Sequence, residues 1–175
     1  MRDATLVFLV KGEPPSEILL GLKKAGFAQG KINGFGGKVQ DGEPIAGAAV
    51  REMEEETGIR VLEQDLEKMA RLTFTFPARP EWDQVVHVFL ARRWKGEPME
   101  SAEMRPAWYK VNEIPFQSMW QDDPHWLPRV LAGQHIKARF TFQPDNETVQ
   151  AIEIEQGPPA PSRFARSQGN PCVGE

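Results

Sequence analysis

The order of apolar and polar positions along the chain predicts a strand-rich protein with one long helix near its start. A continuous apolar run at residues 4–10 is typical of a buried strand, and residues 17–23 read as the strand that returns beside it. Residues 61–69 are ambiguous and suggest a loop with a helical turn. Further strands, the last two forming a hairpin, are predicted at residues 71–76, 84–94, 105–111, 135–142 and 148–155.

Two helices interrupt these strands. The first opens with Pro44, which suits an initial helical turn, and ends at Gly58. Its apolar positions fall at i, i+3, i+4 and i+7 and are Ala46, Ala49, Val50 and Met53. The second follows Asp122 and Asp123, and Pro128 is expected to disturb it early. The pattern therefore predicts an α/β protein whose mixed β-sheet carries helices on its faces.

Length and composition indicate one globular domain followed by a tail. The chain has 175 residues, of which 40% are hydrophobic and 26% are charged, as in soluble globular proteins. We assign residues 1–156 to the domain. Residues 157–175 are rich in Pro, Gly and Ser, a composition that cannot bury much apolar surface, and they are expected to form a C-terminal tail.

Net charge and cysteine content limit the kinds of molecule that the protein is expected to bind and the compartment in which it is expected to occur. The formal net charge of −4 argues against binding to nucleic-acid polymers or to anionic membranes. A phosphate-bearing small ligand stays possible where a metal supplies positive charge. The single Cys172 cannot form an intrachain disulfide, and no apolar run is long enough to span a membrane. The single cysteine fits a reducing cytosol, so a cytoplasmic protein is expected, and a monomer is expected as well.

The first helix carries an unusual set of acids. Glu52, Glu55 and Glu56 are spaced i, i+3 and i+4, so they project from one side of the helix and repel one another. Either water screens them, as on any solvated acidic helix, or they bind cations. Mg²⁺ or Mn²⁺ suits carboxylates that act together with substrate phosphates.

The surrounding residues extend this trio into a longer pattern. It reads G-x5-E-x7-R-E-U-x-E-E-x-G-U, with U apolar, and its nine fixed positions span 23 residues. The pattern resembles the signature of the Nudix hydrolases, which cleave a nucleoside diphosphate linked to another group. The resemblance implies the Nudix α/β/α sandwich and metal-assisted cleavage. The matching residues are Gly37, Glu43, Arg51, Glu52, Met53, Glu55, Glu56, Gly58 and Ile59.

Further segments resemble one branch of this family, the oxidised purine nucleoside triphosphatases that are similar to MutT. The resemblance runs from about Thr5 to Ile154 and leaves only the tail uncovered. It implies hydrolysis of a nucleotide such as 8-oxo-dGTP or 2-hydroxy-dATP to the monophosphate and pyrophosphate, which sanitises the nucleotide pool. The segments that carry it are residues 21–24, 33–39, 86–89, 103–106 and 119–123.

The chemistry of four positions fits a purine. Trp120 offers a flat face for stacking, although a core tryptophan is the alternative. Asp122 and Asp123 can read the edge of a base or cap a helix, and Asn33 presents both a donor and an acceptor. The resemblance implies that the substrate is bound by Thr5, Lys23, Phe27, Asn33, Phe35, Gly36, Gly37, Lys38, Phe74, Trp120, Gln121, Asp122 and Asp123. Gln84 departs from the branch, which carries an apolar methionine there.

The resemblance also assigns the catalytic groups. It implies that metal is held by the carbonyl of Gly36 together with Glu52, Glu55 and Glu56, with Glu103 nearby. Arg51 would orient the glutamates by ion pairing. Either Glu56 or Glu103 is the general base, and the sequence does not choose between them. An exposed loop glutamate is the alternative reading of Glu103.

Two other functions stay open from the sequence alone. One is a Nudix hydrolase of a dinucleoside polyphosphate or a nucleotide sugar, which keeps the chemistry and changes the pocket. The other is a non-catalytic nucleotide-binding module, which would have no need of all three helical glutamates. His87, inside an apolar strand, is interpreted as a core histidine and not as a base.

Overall fold

The computed structural model describes residues 1–157, which form eight strands and two α-helices. The predicted tail lies outside the described residues from position 158 onward. The helices are α1 (Ile45–Thr57) and α2 (Asp123–Leu131). The strands are β1 (Arg2–Lys11), β2 (Glu17–Lys23), β3 (Ile32–Asn33), β4 (Leu66–Thr75), β5 (Gln84–Ala91), β6 (Met104–Lys110), β7 (Ile136–Phe142) and β8 (Val149–Gln156).

The strands make one mixed sheet, as the sequence predicts. Its order is β3-β2-β1-β5-β4-β7-β8, and β6 pairs with β2. The β1–β5 and β4–β7 pairs are parallel, and the remaining pairs are antiparallel. The strands β7 and β8 form the predicted terminal hairpin. No helix in residues 1–157 combines the length and apolar character that crossing a bilayer requires.

Both faces of the central sheet are buried, each against one helix. Side chains alternate along β1, so Phe8 packs into one core and Leu9 into the other. The α2 helix closes the first core with Trp126, whose ring centroid lies 6.0 Å from that of Phe8. The α1 helix closes the second core with Met53. This arrangement is the predicted sandwich, with a helical layer on each side of the sheet.

Local signals misplace several boundaries. The β4 strand begins at Leu66, five residues before the predicted start at residue 71, after a short 3-10 turn at Glu63–Asp65. The β5 strand ends at Ala91, before residue 94. The α2 helix continues through Pro128 instead of being disturbed there, because burial of Trp126 and its apolar neighbours in the core outweighs one lost backbone hydrogen bond.

Candidate active site

Arg51 is the centre of an ion-pair network at the start of α1. Its Nε and Nη2 donate to the two oxygens of Glu43 at 2.7 and 2.9 Å, a bidentate contact. Its Nη1 lies 2.9 Å from Glu52 Oε1 and 3.3 Å from Glu55 Oε2. The hydrogen bond from Arg51 lowers the pKa of Glu43 to about 2. The guanidinium therefore contacts two of the three helical glutamates.

Glu56 lies on the buried side of the same helix. Only 4% of it is exposed, and its Oε2 accepts a hydrogen bond from the Gly36 amide at 3.3 Å. Burial raises the pKa of Glu56 to about 8, Lys23 opposes that shift, and the charge of Glu52 adds to it. Burial also raises the pKa of Glu52, against the stabilising charge of Arg51. Both carboxylates would be favoured by additional positive charge.

An acidic cleft joins these glutamates to a second segment of the chain. Glu103 reaches it from the loop before β6, is 62% exposed at its side chain and lies 3.6 Å from Lys23 Nζ. Within residues 1–157, no three acidic, histidine or cysteine side chains converge into a ready-made metal cluster. The carboxylate oxygens of this cleft nevertheless suit a hard divalent cation, because such ions prefer oxygen ligands. The negative charge of Glu56 also has too little positive charge beside it. The cleft is lined by Lys23, Gly36, Gly37, Lys38, Gln40, Glu52, Glu55, Glu56, Ser101, Ala102 and Glu103.

Two glycines allow the loop before α1 to pass between the helix and β1. A Cβ on Gly36 would stand 1.8 Å from the carbonyl oxygen of Thr5. A Cβ on Gly37 would stand 2.6 Å from Glu52 Cδ. The backbone is held there by the Thr5 amide, which donates to the Gly37 carbonyl at 2.9 Å. Gly36 therefore requires glycine because it packs against backbone, whereas a Cβ at Gly37 would instead push the Glu52 carboxylate aside.

We expect Gly37→Ala to lower kcat by about tenfold to a hundredfold, because the new methyl group displaces the Glu52 carboxylate by a distance on the order of 1 Å. Gly47→Ala, within α1, is the matched control, since its Cβ would meet only atoms of Glu63 and Pro44 at 3.5 Å or beyond. Steady-state kinetics over a range of Mg²⁺ concentrations is the measurement. A Gly37→Ala enzyme with the kcat of Gly47→Ala would show that the position of Glu52 is unimportant.

A second cavity of about 200 Å³ opens beside the cleft. The two share Lys23, Gly36, Gly37 and Glu56 in their linings, so a ligand can extend from one into the other. The predicted substrate residues that line this cavity are Thr5, Lys23, Phe27, Asn33, Gly36, Gly37, Phe74, Trp120, Asp122 and Asp123. Other residues that line this cavity are not predicted from the sequence to bind substrate. They include Lys31, Phe76, Gln84, Val86, Met104, Trp126 and Phe142.

Asp122 and Asp123 are buried at one wall of this cavity. They are 3% and 2% exposed, and neither side chain caps α2. Instead, Asp122 Oδ2 accepts from Trp126 Nε1 at 2.8 Å, and Asp123 Oδ2 accepts from the Trp120 amide at 3.1 Å. Burial raises the pKa of Asp122 to about 6, and burial together with the Asp122 charge raises that of Asp123. The helix-cap alternative is therefore not supported.

Trp120 and Asn33 present polar and aromatic surface to the same cavity. The Trp120 ring is partly buried at the edge of the first core, so it is not an enclosed core tryptophan. Lys31 Nζ lies 4.7 Å from its ring centroid. Asn33 Oδ1 accepts from the Gly34 amide at 2.8 Å, which leaves its amino group to donate. No sequence signal marks Lys31, which reaches Trp120 only through the fold.

The structure places two predicted substrate residues outside both cavities. Phe35 is fully buried in the second core, where its ring packs beside Gly21. Gln121 turns away and accepts a hydrogen bond from the Val149 amide at 3.1 Å. Lys38 lines the acidic cleft only. His87 is buried as expected, and its Nε2 lies 2.8 Å from Asp3 Oδ1.

Comparison with known proteins defines the class. Residues 1–130 match the family model of the NUDIX domain, and the chain belongs to the Nudix family. Nudix hydrolases generally use divalent metal ions. The family and the α/β class predicted from the sequence are thus confirmed.

Individual relatives are similar over most of the chain. Identity is 41% over 156 residues to the oxidized purine nucleoside triphosphate hydrolase of Mus musculus, covering 89% of this chain and 97% of the relative. Identity is 46% over 143 residues to the protein of the same name in Danio rerio, covering 82% and 90%. The fold is shared with the MutT protein of Bacillus halodurans, with a TM-score of 0.76 at 23% identity over 89% of this chain and 98% of that one.

Proposed function

We propose that this protein hydrolyses oxidised purine nucleoside triphosphates of the 8-oxo-dGTP and 2-hydroxy-dATP class to the monophosphate and pyrophosphate, and so sanitises the nucleotide pool. The observation that carries the proposal is the junction of two different cavities at Glu56 and Lys23. One holds aromatic rings and buried carboxyls, and the other is lined with glutamates. Two relatives at 41% and 46% identity are named oxidized purine nucleoside triphosphate hydrolase, which supports this assignment.

The base-sized cavity supplies the groups that a purine needs. Trp120 provides a stacking surface, which is worth about 1–3 kcal/mol for a base. The free amino group of Asn33 donates to a base carbonyl, because its oxygen is already used by Gly34. Asp122 and Asp123 face the other edge, where a protonated carboxyl donates and an ionised one accepts.

The acidic cleft takes the triphosphate. We propose Mg²⁺ as its cation, with Mn²⁺ as a substitute, held by Glu52, Glu55, Glu56 and the Gly36 carbonyl, with Glu103 nearby. When bound, such an ion neutralises phosphate charge and activates water. Lys23 and Lys38 line the same cleft and add positive charge beside the phosphates.

Glu56 and Glu103 are both candidates for the general base. Glu56 is buried between the two cavities, whereas Glu103 is exposed and lies next to Lys23. A base must reach the attacking water within hydrogen-bond distance, and both side chains line the cleft that would hold it.

Pyrophosphate release across a nucleotide panel tests the proposal. The panel contains 8-oxo-dGTP, 2-hydroxy-dATP, dGTP, dATP, a dinucleoside polyphosphate and a nucleotide sugar, each with Mg²⁺, with Mn²⁺ or with EDTA. We expect the oxidised purines to give the highest kcat/KM, and EDTA to abolish turnover. Preference for the last two compounds would assign a different Nudix substrate, and binding without turnover would assign a nucleotide-binding module.

We also propose that the active form is a cytoplasmic monomer. The single cysteine fits a reducing compartment. Light scattering on the purified protein and imaging of the tagged chain in cells test the two parts of this proposal.

A further inference from the structure

Phe27 lies between two tryptophans that come from distant parts of the chain. Its ring is stacked on Trp120, with centroids 5.8 Å apart and planes 23° apart. Its other neighbour is Trp82, which meets it edge to face at 5.1 Å and 78°. Phe27 and Trp120 line the base-sized cavity, whereas Trp82 lies outside it, behind Phe27. Trp82 can therefore influence a bound base only through lining residues that it touches, chiefly Phe27 at 5.1 Å and also Phe76 at 5.7 Å.

Backbone hydrogen bonds hold the loop that carries Phe27, whereas the ring itself is held by its aromatic contacts. Lys23 and Lys31 bracket the loop, and the Gly30 amide donates to the Lys23 carbonyl at 2.8 Å. Ala28, next to Phe27, has a φ of +64°, a conformation that favours glycine. The Phe27 residue remains 55% exposed. Its position over the cavity therefore depends on its two aromatic contacts.

The turn that carries Trp82 is better fixed. Asp83 Oδ1 accepts from the Phe76 amide at 2.7 Å, and the Trp82 amide donates to the Arg79 carbonyl at 2.8 Å. The Trp82 ring also packs edge to face on Phe76 at 5.7 Å, and Arg79 covers it at 5.0 Å. Trp82 is thus a fixed surface against which Phe27 rests.

A stacked base competes with Phe27 for Trp120. Each stacked contact needs about 3.5–4 Å between carbon atoms, so a base between the two rings requires them to be about 7 Å apart. The observed separation of 5.8 Å is too small. When a base takes the Trp120 face, Phe27 gives up that contact, and among the ring contacts of the described chain Trp82 is the one that remains.

We propose that Trp82 is a positioning residue that keeps Phe27 at the wall of the cavity while a purine occupies Trp120. The proposal rests on the purine specificity proposed above. It predicts that Trp82 contributes to affinity for the base and not to the chemical step, because it touches neither the acidic cleft nor the base-sized cavity directly.

The test is a double-mutant cycle on Phe27→Ala and Trp82→Leu in the full chain. The interaction free energy of an aromatic pair corresponds to about a two- to tenfold change in affinity. We expect Trp82→Leu to raise the KM for the preferred purine triphosphate, and the Kd for its monophosphate, by that factor, with kcat unchanged. In the Phe27→Ala background the same change should have a much smaller effect, limited to what Trp82 contributes through Phe76. Binding of inorganic pyrophosphate with Mg²⁺ should be unaffected throughout.

Trp94→Leu is the matched control, because Trp94 belongs to another tryptophan pair, with Trp108 at 5.7 Å, and lines neither cavity. Trp82→Phe keeps a ring for Phe27 and should give a smaller rise in KM than Trp82→Leu. If the leucine variant does not fold, the cycle between Trp82→Phe and Phe27→Ala decides instead.

This design separates a failure of the proposed function from a failure of the role proposed for Trp82. A wild-type protein that binds no purine nucleotide would contradict the proposed function. A wild-type protein that binds one with the same affinity as Trp82→Leu, or effects of the two substitutions that simply multiply, would overturn the role of Trp82 alone.

Discussion

Glu56→Gln should lower kcat by about 10²- to 10⁴-fold, the contribution typical of a positioned proton acceptor or of an essential charged ligand. The substitution keeps the size of the side chain and removes its negative charge. The fold should survive, because burial raises the pKa of Glu56 to about 8 and a neutral group is therefore tolerated there near neutral pH. Pyrophosphate release under saturating Mg²⁺, together with a thermal unfolding curve, is the measurement.

Glu54→Gln is the control for this experiment. Glu54 lies on the same helix, is exposed and pairs with Arg60 at 3.1 Å, away from both cavities. It should retain wild-type turnover. If Glu56→Gln were equally active at every Mg²⁺ concentration, the acidic cleft would not be the catalytic centre.

The α1 helix shows what local sequence signals can predict. Its end at Gly58 follows from glycine chemistry, and the structure gives that residue a φ of +76°. The spacing of the three glutamates also predicts their common side correctly. It does not predict that Glu56 is buried and Glu55 exposed, because that difference depends on how α1 rests on the sheet. Tertiary packing, not helical spacing, raises the pKa values of Glu52 and Glu56, because burial is the largest cause of both shifts.

The base-sized cavity shows where sequence reasoning reaches its limit. Trp120 and the two aspartates form a contiguous motif and are recognisable on their own. Lys31 and Phe142 approach that motif from a loop and a late strand, and nothing in their neighbouring residues indicates it. Trp82, on a turn, is linked to the motif only through other rings such as Phe27. The sequence assigns Phe35 to the substrate site, but its side chain is buried in the second core. A matching motif does not distinguish a side chain that faces the ligand from one that faces the core.

The two buried aspartates lead to the second large effect, a change in base preference. Because both carboxyls are nearly inaccessible and adjacent, burial and mutual repulsion disfavour ionising both. We propose that one proton shared by the pair gives one donor and one acceptor, and that exchanging its position lets one cavity accept both an oxidised guanine and a hydroxylated adenine. Asp122→Asn and Asp123→Asn each fix which group donates and which accepts, since an amide cannot exchange its donor and acceptor by moving a proton.

The pH dependence of kcat/KM has a defined sign under this hypothesis. The pKa values of both carboxyls are raised, so the pair holds two protons at low pH and one after the pH passes about 6. The last, shared proton is lost as the pH rises through the raised value of Asp123, so kcat/KM should fall on the alkaline side. Stability linked to these groups is likewise complete below pH about 4 and decreases as the pH rises through the folded-state values. The difference in thermal stability between each asparagine variant and wild type should therefore favour the variant more at pH 8 than at pH 5.

Asp122→Asn and Asp123→Asn should each weaken the two oxidised substrates unequally, by about ten- to a hundredfold for the more affected one, because a buried group loses its partner. In Asp122→Asn the pKa of Asp123 should fall, since the neighbouring charge that raises it is gone, and the alkaline limb of kcat/KM should move to lower pH. Mg²⁺ dependence should stay intact, and Asp41→Asn, on an exposed turn, should match wild type. Steady-state kinetics on 8-oxo-dGTP and 2-hydroxy-dATP between pH 5 and 9 is the measurement. Wild-type kcat/KM for both bases in both variants would remove these carboxyls from base recognition, and with them the main structural support for a purine substrate.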